Sequence, residues 1–203
     1  MATVLSKSRQ RVYQSSRDAK PLKFEDGPLV WIDCEMTGLN PQKDRILEVA
    51  VLISDGNLNI VDEGIGLVVR TERAVLDRMD TWCRNTHQAS GLTNACIKSR
   101  RSASDVETAV LKYVRSWIPD KGSACLAGNS VHADKAFLDI HMPSITNWLH
   151  YRIVDVSTVK ELHRRWFADR PYPKQESKHR ALDDIRGSID ELKWYRENTF
   201  IQS

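Results

Sequence analysis

The segment that most constrains this chain is Pro28-Leu-Val-Trp-Ile-Asp-Cys-Glu35, in which an unbroken apolar run meets two carboxylates. Residues 29–32 carry no polar side chain apart from the indole N–H of Trp31, so the run reads as a buried strand rather than a surface one. Asp33 and Glu35 follow at i and i+2, and the two-residue period of an extended chain aims both at the same face. Taken alone, such a pair is ordinary on a solvated strand. At the end of a buried strand it must face a cleft or remain as a buried charge, which is costly unless a cation offsets it.

The rest of the chain supplies neighbours for that strand. Residues 45–54 (R-I-L-E-V-A-V-L-I-S) read as a second strand, and Asp55-Gly56-Asn57 is a turn signal leading to strands near Ile60 and over residues 65–69. These form an antiparallel meander. The period then changes, because Val106, Ala109, Val110, Tyr113, Val114 and Trp117 keep helical spacing, with Ser102 or Ser104 available as a cap. Residues 125–128 predict a short strand, 132–140 a helix, 153–156 a strand, and 159–167 a helix that stops before Pro171-Tyr-Pro173. A last helix over 181–195 places Leu182, Ile185, Ile189 and Leu192 on one face. Strands first and then alternating helix and strand make an α/β fold with a mixed sheet.

Composition sets the outer limits. With 203 residues, 41% of them hydrophobic, the chain is long enough for one well-cored domain, and seven Pro and nine Gly exclude collagen-like and low-complexity classes. No apolar run approaches the ~20 residues of a membrane helix, so no membrane association is expected. Charge is unevenly divided. Residues 1–23 hold Lys7, Arg9, Arg11, Arg17, Lys20 and Lys23 against Asp18 alone, which is +5 of a total of +3 and leaves the body at −2. Residues 1–24 are therefore expected to be a basic arm and residues 25–203 the folded domain. A body without positive excess is poorly suited to gripping long nucleic acid through many phosphates, so any nucleic-acid ligand should be short and no long duplex is expected. The four cysteines show no Cys-x-x-Cys spacing, which fits reduced thiols in a cytoplasmic or mitochondrial compartment. The arm, rich in Arg and Ser and poor in acid, is compatible with part of a mitochondrial transit segment and equally with a solvated tail.

Two further acids stand at helix starts. Asp134 lies in Gly128-Asn-Ser-Val-His-Ala-Asp134, and His179-Arg-Ala-Leu-Asp-Asp184 enters the final helix. Individually each acid can be read as pairing with a helix dipole. As an ordered set, Asp-x-Glu on a strand, an Asp about 100 residues later and His-x-x-x-x-Asp entering a helix resemble the three-motif signature of the DEDD exonucleases in its histidine form. Carboxylate oxygens suit hard divalent cations, and two Mg²⁺ or Mn²⁺ ions bring +4 against the four carboxylates of Asp33, Glu35, Asp134 and Asp184.

Longer motifs narrow the resemblance. Trp31-Ile-Asp-Cys-Glu-Met-Thr-Gly-Leu39, Gly128-Asn-Ser-Val-His132, His150-Tyr-Arg-Ile-Val-Asp-Val-Ser-Thr158 followed by Lys160-Glu-Leu162, and His179-Arg-Ala-Leu-Asp-Asp-Ile185 together resemble the oligoribonuclease family. The resemblance implies an RNase H-like mixed five-stranded sheet flanked by helices and a 3′-to-5′ exoribonuclease that degrades very short RNA to mononucleotides with Mg²⁺ or Mn²⁺. It also implies a homodimer. Position 34 is usually Leu in that family, and Cys34 is a small apolar replacement pointing away from the acidic face. In such a site His179 is expected to be the general base, because an imidazole titrates near neutral pH. The resemblance maps a wedge against the bases onto Leu39, a stacking aromatic onto Trp82, and a pair reaching in from the partner subunit onto Tyr151 and Arg152. Ser130, Arg152, Ser157 and Thr158 are candidates for capping a 5′ phosphate. Trp31, Trp117, Trp148, Trp166 and Trp194 are expected to be packing residues. Carboxylate chemistry alone leaves open a nuclease acting on single-stranded DNA ends or longer RNA tails, since the ions contact only phosphate. No phosphate-binding Gly-rich loop, nucleophile elbow or His-Glu-x-x-His motif occurs.

Overall fold

The computed structural model describes residues 20–170, 172 and 181–200. Five strands form one mixed sheet: β1 (Leu29–Met36), β2 (Ile46–Ser54), β3 (Ile65–Val68), β4 (Cys125–Gly128) and β5 (His150–Asp155), in the order β3-β2-β1-β4-β5. The meander β1-β2-β3 is antiparallel, and β4 and β5 add to β1 in parallel. β1 is thus central, as its apolar run demands, and it continues through the acid pair to Met36 instead of ending at Ile32. The expected strand near Ile60 is only an isolated bridge to Ser54, because Asp55 ties the intervening turn through its carboxylate to Asn57 and Asn59.

Alternation along β1 builds two cores. Val30, Ile32 and Cys34 face α4 (Ala103–Trp117), α5 (Val131–His141) and α6 (Pro143–Thr146). Trp31 faces the opposite side, toward α7 (Val156–Trp166) and α8 (Ala181–Asn198), with its indole N–H donated to Ser54 Oγ at 2.9 Å. A third cluster gathers Leu47, Leu76, Met79, Cys83, Leu92 and Cys96 under α1 (Arg73–Leu76), α2 (Thr81–Ala89) and α3 (Leu92–Lys98). Sequence periodicity did not announce these three helices. They are short, and their apolar side converges on Leu47, the extra residue of a β-bulge between Glu35 and Met36.

Helix ends differ from expectation by a few residues for local reasons. α7 begins at Val156, where the expected strand ended, because Asp155 caps it by accepting from Ser157 N. α4 begins as expected, with Ser102 and Asp105 forming a reciprocal capping box. Trp31, Trp117, Trp148 and Trp194 pack as anticipated, but Trp166 at the end of α7 is 67% exposed and does not. All four cysteines are free, and among the described residues no helix is long and apolar enough to cross a membrane. Leu22, within the stretch assigned to the arm, donates its N–H to Trp117 O and packs on the core. The remainder of the arm, residues 1–19, lies outside the described residues.

Candidate active site

The acids expected to converge do so at the carboxyl end of β1. Asp33 and Glu35 share the face covered by α8, which carries Asp184 in its first turn. One carboxylate oxygen from each of these three residues lies within 4.8 Å of the others. Asp134 arrives from the other side of the strand, where the β4–α5 turn lays its Oδ1 against Cys34 N at 2.9 Å. It is buried and adjoins the trio without being one of the three clustered ligand oxygens.

A fifth acid was not anticipated. The antiparallel register sets Glu48 of β2 directly opposite Glu35, on the same face. Like charges so placed repel, and a fold keeps them only where another requirement outweighs the loss. The electrostatics register the crowding. Burial, followed by the carboxylates of Asp134, Glu35, Asp184 and Glu48, pushes Asp33 up to about 8. Burial, then Glu48, Asp184 and Asp134, pushes Glu35 to about 7. Burial raises Asp134 to about 6, held back mainly by the Cys34 N–H. Oxygen-only donors clustered at this spacing fit hard divalent cations.

His179 lies outside the described residues, as does most of the segment between Arg170 and Ala181, so the general-base assignment rests on its motif. A different histidine stands at the site. His87 of α2 is buried, with Nε2 2.9 Å from Met36 O and Nδ1 3.8 Å from Glu35 Oε2. A carbonyl only accepts, so Nε2 carries the proton and the ring is fixed behind Glu35. Its signal in the sequence was the pair Cys83 and His87, one helical turn apart on the buried side of α2.

The substrate-binding candidates divide into groups. Leu39 is 89% exposed, at the tip of the loop after β1. That loop is held by Asp44, which accepts from Thr37 Oγ1 at 3.0 Å and from Asn40 N at 2.9 Å, and a Cβ at Gly38 would come 2.5 Å from an Asp44 carboxylate oxygen. Trp82, in the first turn of α2, is 67% exposed and so is not core. Ser130 adopts φ 52°, rare for a residue with a side chain, and its N–H is shared by Asp155 Oδ1 and Ser157 Oγ, both at 2.9 Å. Ser157 Oγ donates to Asn129 Oδ1 at 3.1 Å, and Asn129 Nδ2 bonds Ser188 and Glu191 of α8. Ser130 and Ser157 therefore form one hydrogen-bonded cluster beside the β4–α5 turn, and Thr158 follows Ser157 in α7 with its side chain exposed. Tyr151 and Arg152 do not join it. They lie on the edge strand β5, Tyr151 75% exposed with the Arg152 guanidinium 5.3 Å from its ring centroid. Three residues of strand, about 10 Å at ~3.3 Å per residue, separate Arg152 from Asp155.

Residues 30–192 match the exonuclease family RNase_T. The mitochondrial oligoribonuclease of Mus musculus is 51% identical over 175 residues, covering 85% of this chain and 73% of that protein. The oligoribonuclease of Vibrio parahaemolyticus is 45% identical over 181 residues, covering 88% of this chain and 99% of that protein. Among solved structures, exonuclease I of Methylocaldum szegediense superposes with a TM-score of 0.66 at 17% identity, and E. coli exonuclease I in complex with a dT13 oligonucleotide with 0.60 at 14%. The chain spans only 41% of each of these two proteins, and at such identities they speak for the fold alone. Fold, converging acids and similarity over the whole body agree, and the chain belongs to the oligoribonucleases of the RNase_T exonuclease family.

Proposed function

We propose that this chain hydrolyses very short single-stranded RNAs, from dinucleotides to a few nucleotides, from the 3′ end to 5′-mononucleotides, using two Mg²⁺ or Mn²⁺ ions. The observation that carries this reading is the cluster of Asp33, Glu35 and Asp184 oxygens within 4.8 Å of one another. Asp33, between the other acids, is suited to hold both ions, Glu35 and Asp184 to complete one, and Asp134 to support the second. Bound ions of this kind supply charge neutralisation for the phosphoryl group and an acidified water. His179, entering α8 in the same motif as Asp184, accepts the proton from the attacking water.

Substrate length follows from the exposed side chains. Leu39, on the loop after β1, and Trp82, in the first turn of α2, are exposed and able to meet bases, and one stacked base is worth ~1–3 kcal/mol. That is a large share of a dinucleotide's binding and a small share of a long strand's. Ser130, Ser157 and Thr158 cap the 5′ phosphate with their hydroxyls. Because β5 carries Arg152 away from that cluster, the guanidinium and Tyr151 serve the site of a partner subunit, which makes the working form a homodimer. The mouse relative is named mitochondrial, and residues 1–23 are compatible with that destination or a cytoplasmic one.

The test is mass analysis of products from a 5′-phosphorylated diribonucleotide, the deoxy dinucleotide and a 20-mer RNA, with Mg²⁺, Mn²⁺ or chelator. The diribonucleotide should be consumed far faster than the other two and only with a divalent ion. His179→Ala should lose several orders of magnitude in rate while the ion-induced rise in melting temperature persists. Equal digestion of the 20-mer or the deoxy dinucleotide would replace this assignment with a nuclease of longer RNA tails or DNA ends.

A further inference from the structure

Two turns after Asp184, α8 carries another acid, Glu191, which is 5% exposed. A carboxylate so buried is costly unless donors surround it, and three do. Tyr195 Oη donates to its Oε1 at 3.0 Å, Lys160 Nζ lies 3.1 Å from the same oxygen, and Asn129 Nδ2 donates to Oε2 at 3.1 Å. The first two partners belong to α8 and α7, and they hold those helices together. The third belongs to the β4–α5 turn, beside Ser130.

The Asn129 amide has every position filled. One N–H goes to Glu191 Oε2 and the other to Ser188 Oγ at 3.0 Å. Ser188 has given its own hydrogen to Asp184 O at 3.0 Å, so its oxygen can only accept, as the carboxylate does. The amide nitrogen is thereby forced toward α8 and Oδ1 toward Ser157, whose Oγ donates to it at 3.1 Å. Ser157 Oγ in turn accepts from Ser130 N at 2.9 Å and lies 3.0 Å from Ser130 Oγ. A reversed amide would aim N–H groups at Ser157 Oγ and drive the hydrogens of the serine pair the other way. The seat of that pair is therefore set from α8, through one side chain.

We propose that Glu191 is a positioning residue for the substrate: by holding Asn129 in one orientation it presets Ser130 and Ser157 for a 5′ phosphate and ties them to the helix that bears Asp184. This rests on the reading of those two serines as part of a 5′-phosphate cap. Glu191 acts through Asn129 and not by meeting the RNA.

The test compares kcat/KM for a 5′-phosphorylated and a 5′-hydroxyl diribonucleotide, at saturating Mg²⁺, in wild type, Glu191→Met, Glu191→Gln and Tyr195→Phe. The quotient of the two values does not depend on the fraction of protein folded, so a destabilised variant still reports. Wild type should prefer the phosphorylated substrate. Glu191→Met keeps the length of the side chain and removes the acceptor from Asn129. It should cut that preference about tenfold, the scale of one charge-assisted hydrogen bond, mainly through KM for the phosphorylated substrate. Glu191→Gln can leave its oxygen on Asn129 by turning its nitrogen to the Tyr195 hydroxyl, and should retain most of the preference. Tyr195→Phe removes a bond to the same carboxylate on the side away from Asn129, and should lower the melting temperature while leaving the preference as in wild type. An equal fall on both substrates in Glu191→Met would make the residue purely structural and overturn the assignment. So would a loss of preference in Glu191→Gln or Tyr195→Phe as large as in Glu191→Met, because the effect would not then pass through Asn129. A wild type indifferent to the 5′ phosphate would overturn the cap and this role together, whereas hydrolysis of both dinucleotides would leave the exoribonuclease reading standing.

Discussion

The crowding of carboxylates predicts that a catalytic residue destabilises the metal-free protein. Asp33 ionises near its reference value of 3.8 in the unfolded chain but only at about 8 in the fold. Between those values the native state holds a proton that the unfolded state has released, so native stability falls as pH rises, by up to ~1.4 kcal/mol per pH unit for one such group. Carried from pH 3.8 to 7, this reaches an upper bound of about 4 kcal/mol. Asn has nearly the shape of Asp and does not titrate, though its amide keeps a burial penalty of its own. Asp33→Asn should therefore stabilise the metal-free protein at pH 7–8 by about 1–2 kcal/mol, a rise in melting temperature of ~2–8 °C for a domain of this size. The gain should shrink toward pH 4, where the unfolded wild-type chain also keeps its proton. The assay is a series of thermal melts from pH 4 to 8.5 with chelator and then with Mg²⁺. The variant should gain little from Mg²⁺, whereas wild type should gain substantially, and turnover should fall by orders of magnitude. A variant that melts at or below wild type at pH 8 in chelator would refute the repulsion argument.

Trp82→Ala should raise KM for a diribonucleotide about 5- to 100-fold, as loss of one base stack implies, with the melting temperature unchanged because the indole is exposed. Steady-state kinetics beside a melt would check both halves. Tyr151→Ala should lose most activity yet fold, and a mixture with Asp33→Asn should recover part of it, because in a mixed dimer Tyr151 of one chain can serve the intact carboxylates of the other. Gly38→Ala forces a Cβ against the Asp44 carboxylate and should tilt the Leu39 loop. Its signature is a higher KM with kcat nearly kept, and a loss of ~1–2 kcal/mol in denaturant unfolding.

What was legible in the sequence was local. The apolar run of residues 29–32 made a buried strand with two acids following it on one side, the 3.6-residue spacing of residues 103–117 made a helix, and Asp134 and Asp184 stood where helices begin. The mixed five-stranded sheet and the identity of the chemical site followed from motif order, because family motifs preserve element ends. The helices between Arg73 and Lys98 escaped because each is too short to display a period and each owes its burial to Leu47, a residue far away in the chain.

By itself the sequence determined which residues carry charge, where the chain turns from strand to helix, and to which family it belongs, all of which depend on neighbours within a few positions. Only the tertiary structure decided that Glu48 opposes Glu35, that His87 stands behind the site, that Trp82 is exposed while Trp31 is core, and that Glu191 is buried against Asn129. These depend on strand register, a one-residue bulge and the packing of distant segments. A shift of one residue in register would turn Glu48, the one acid of β2, to the other face.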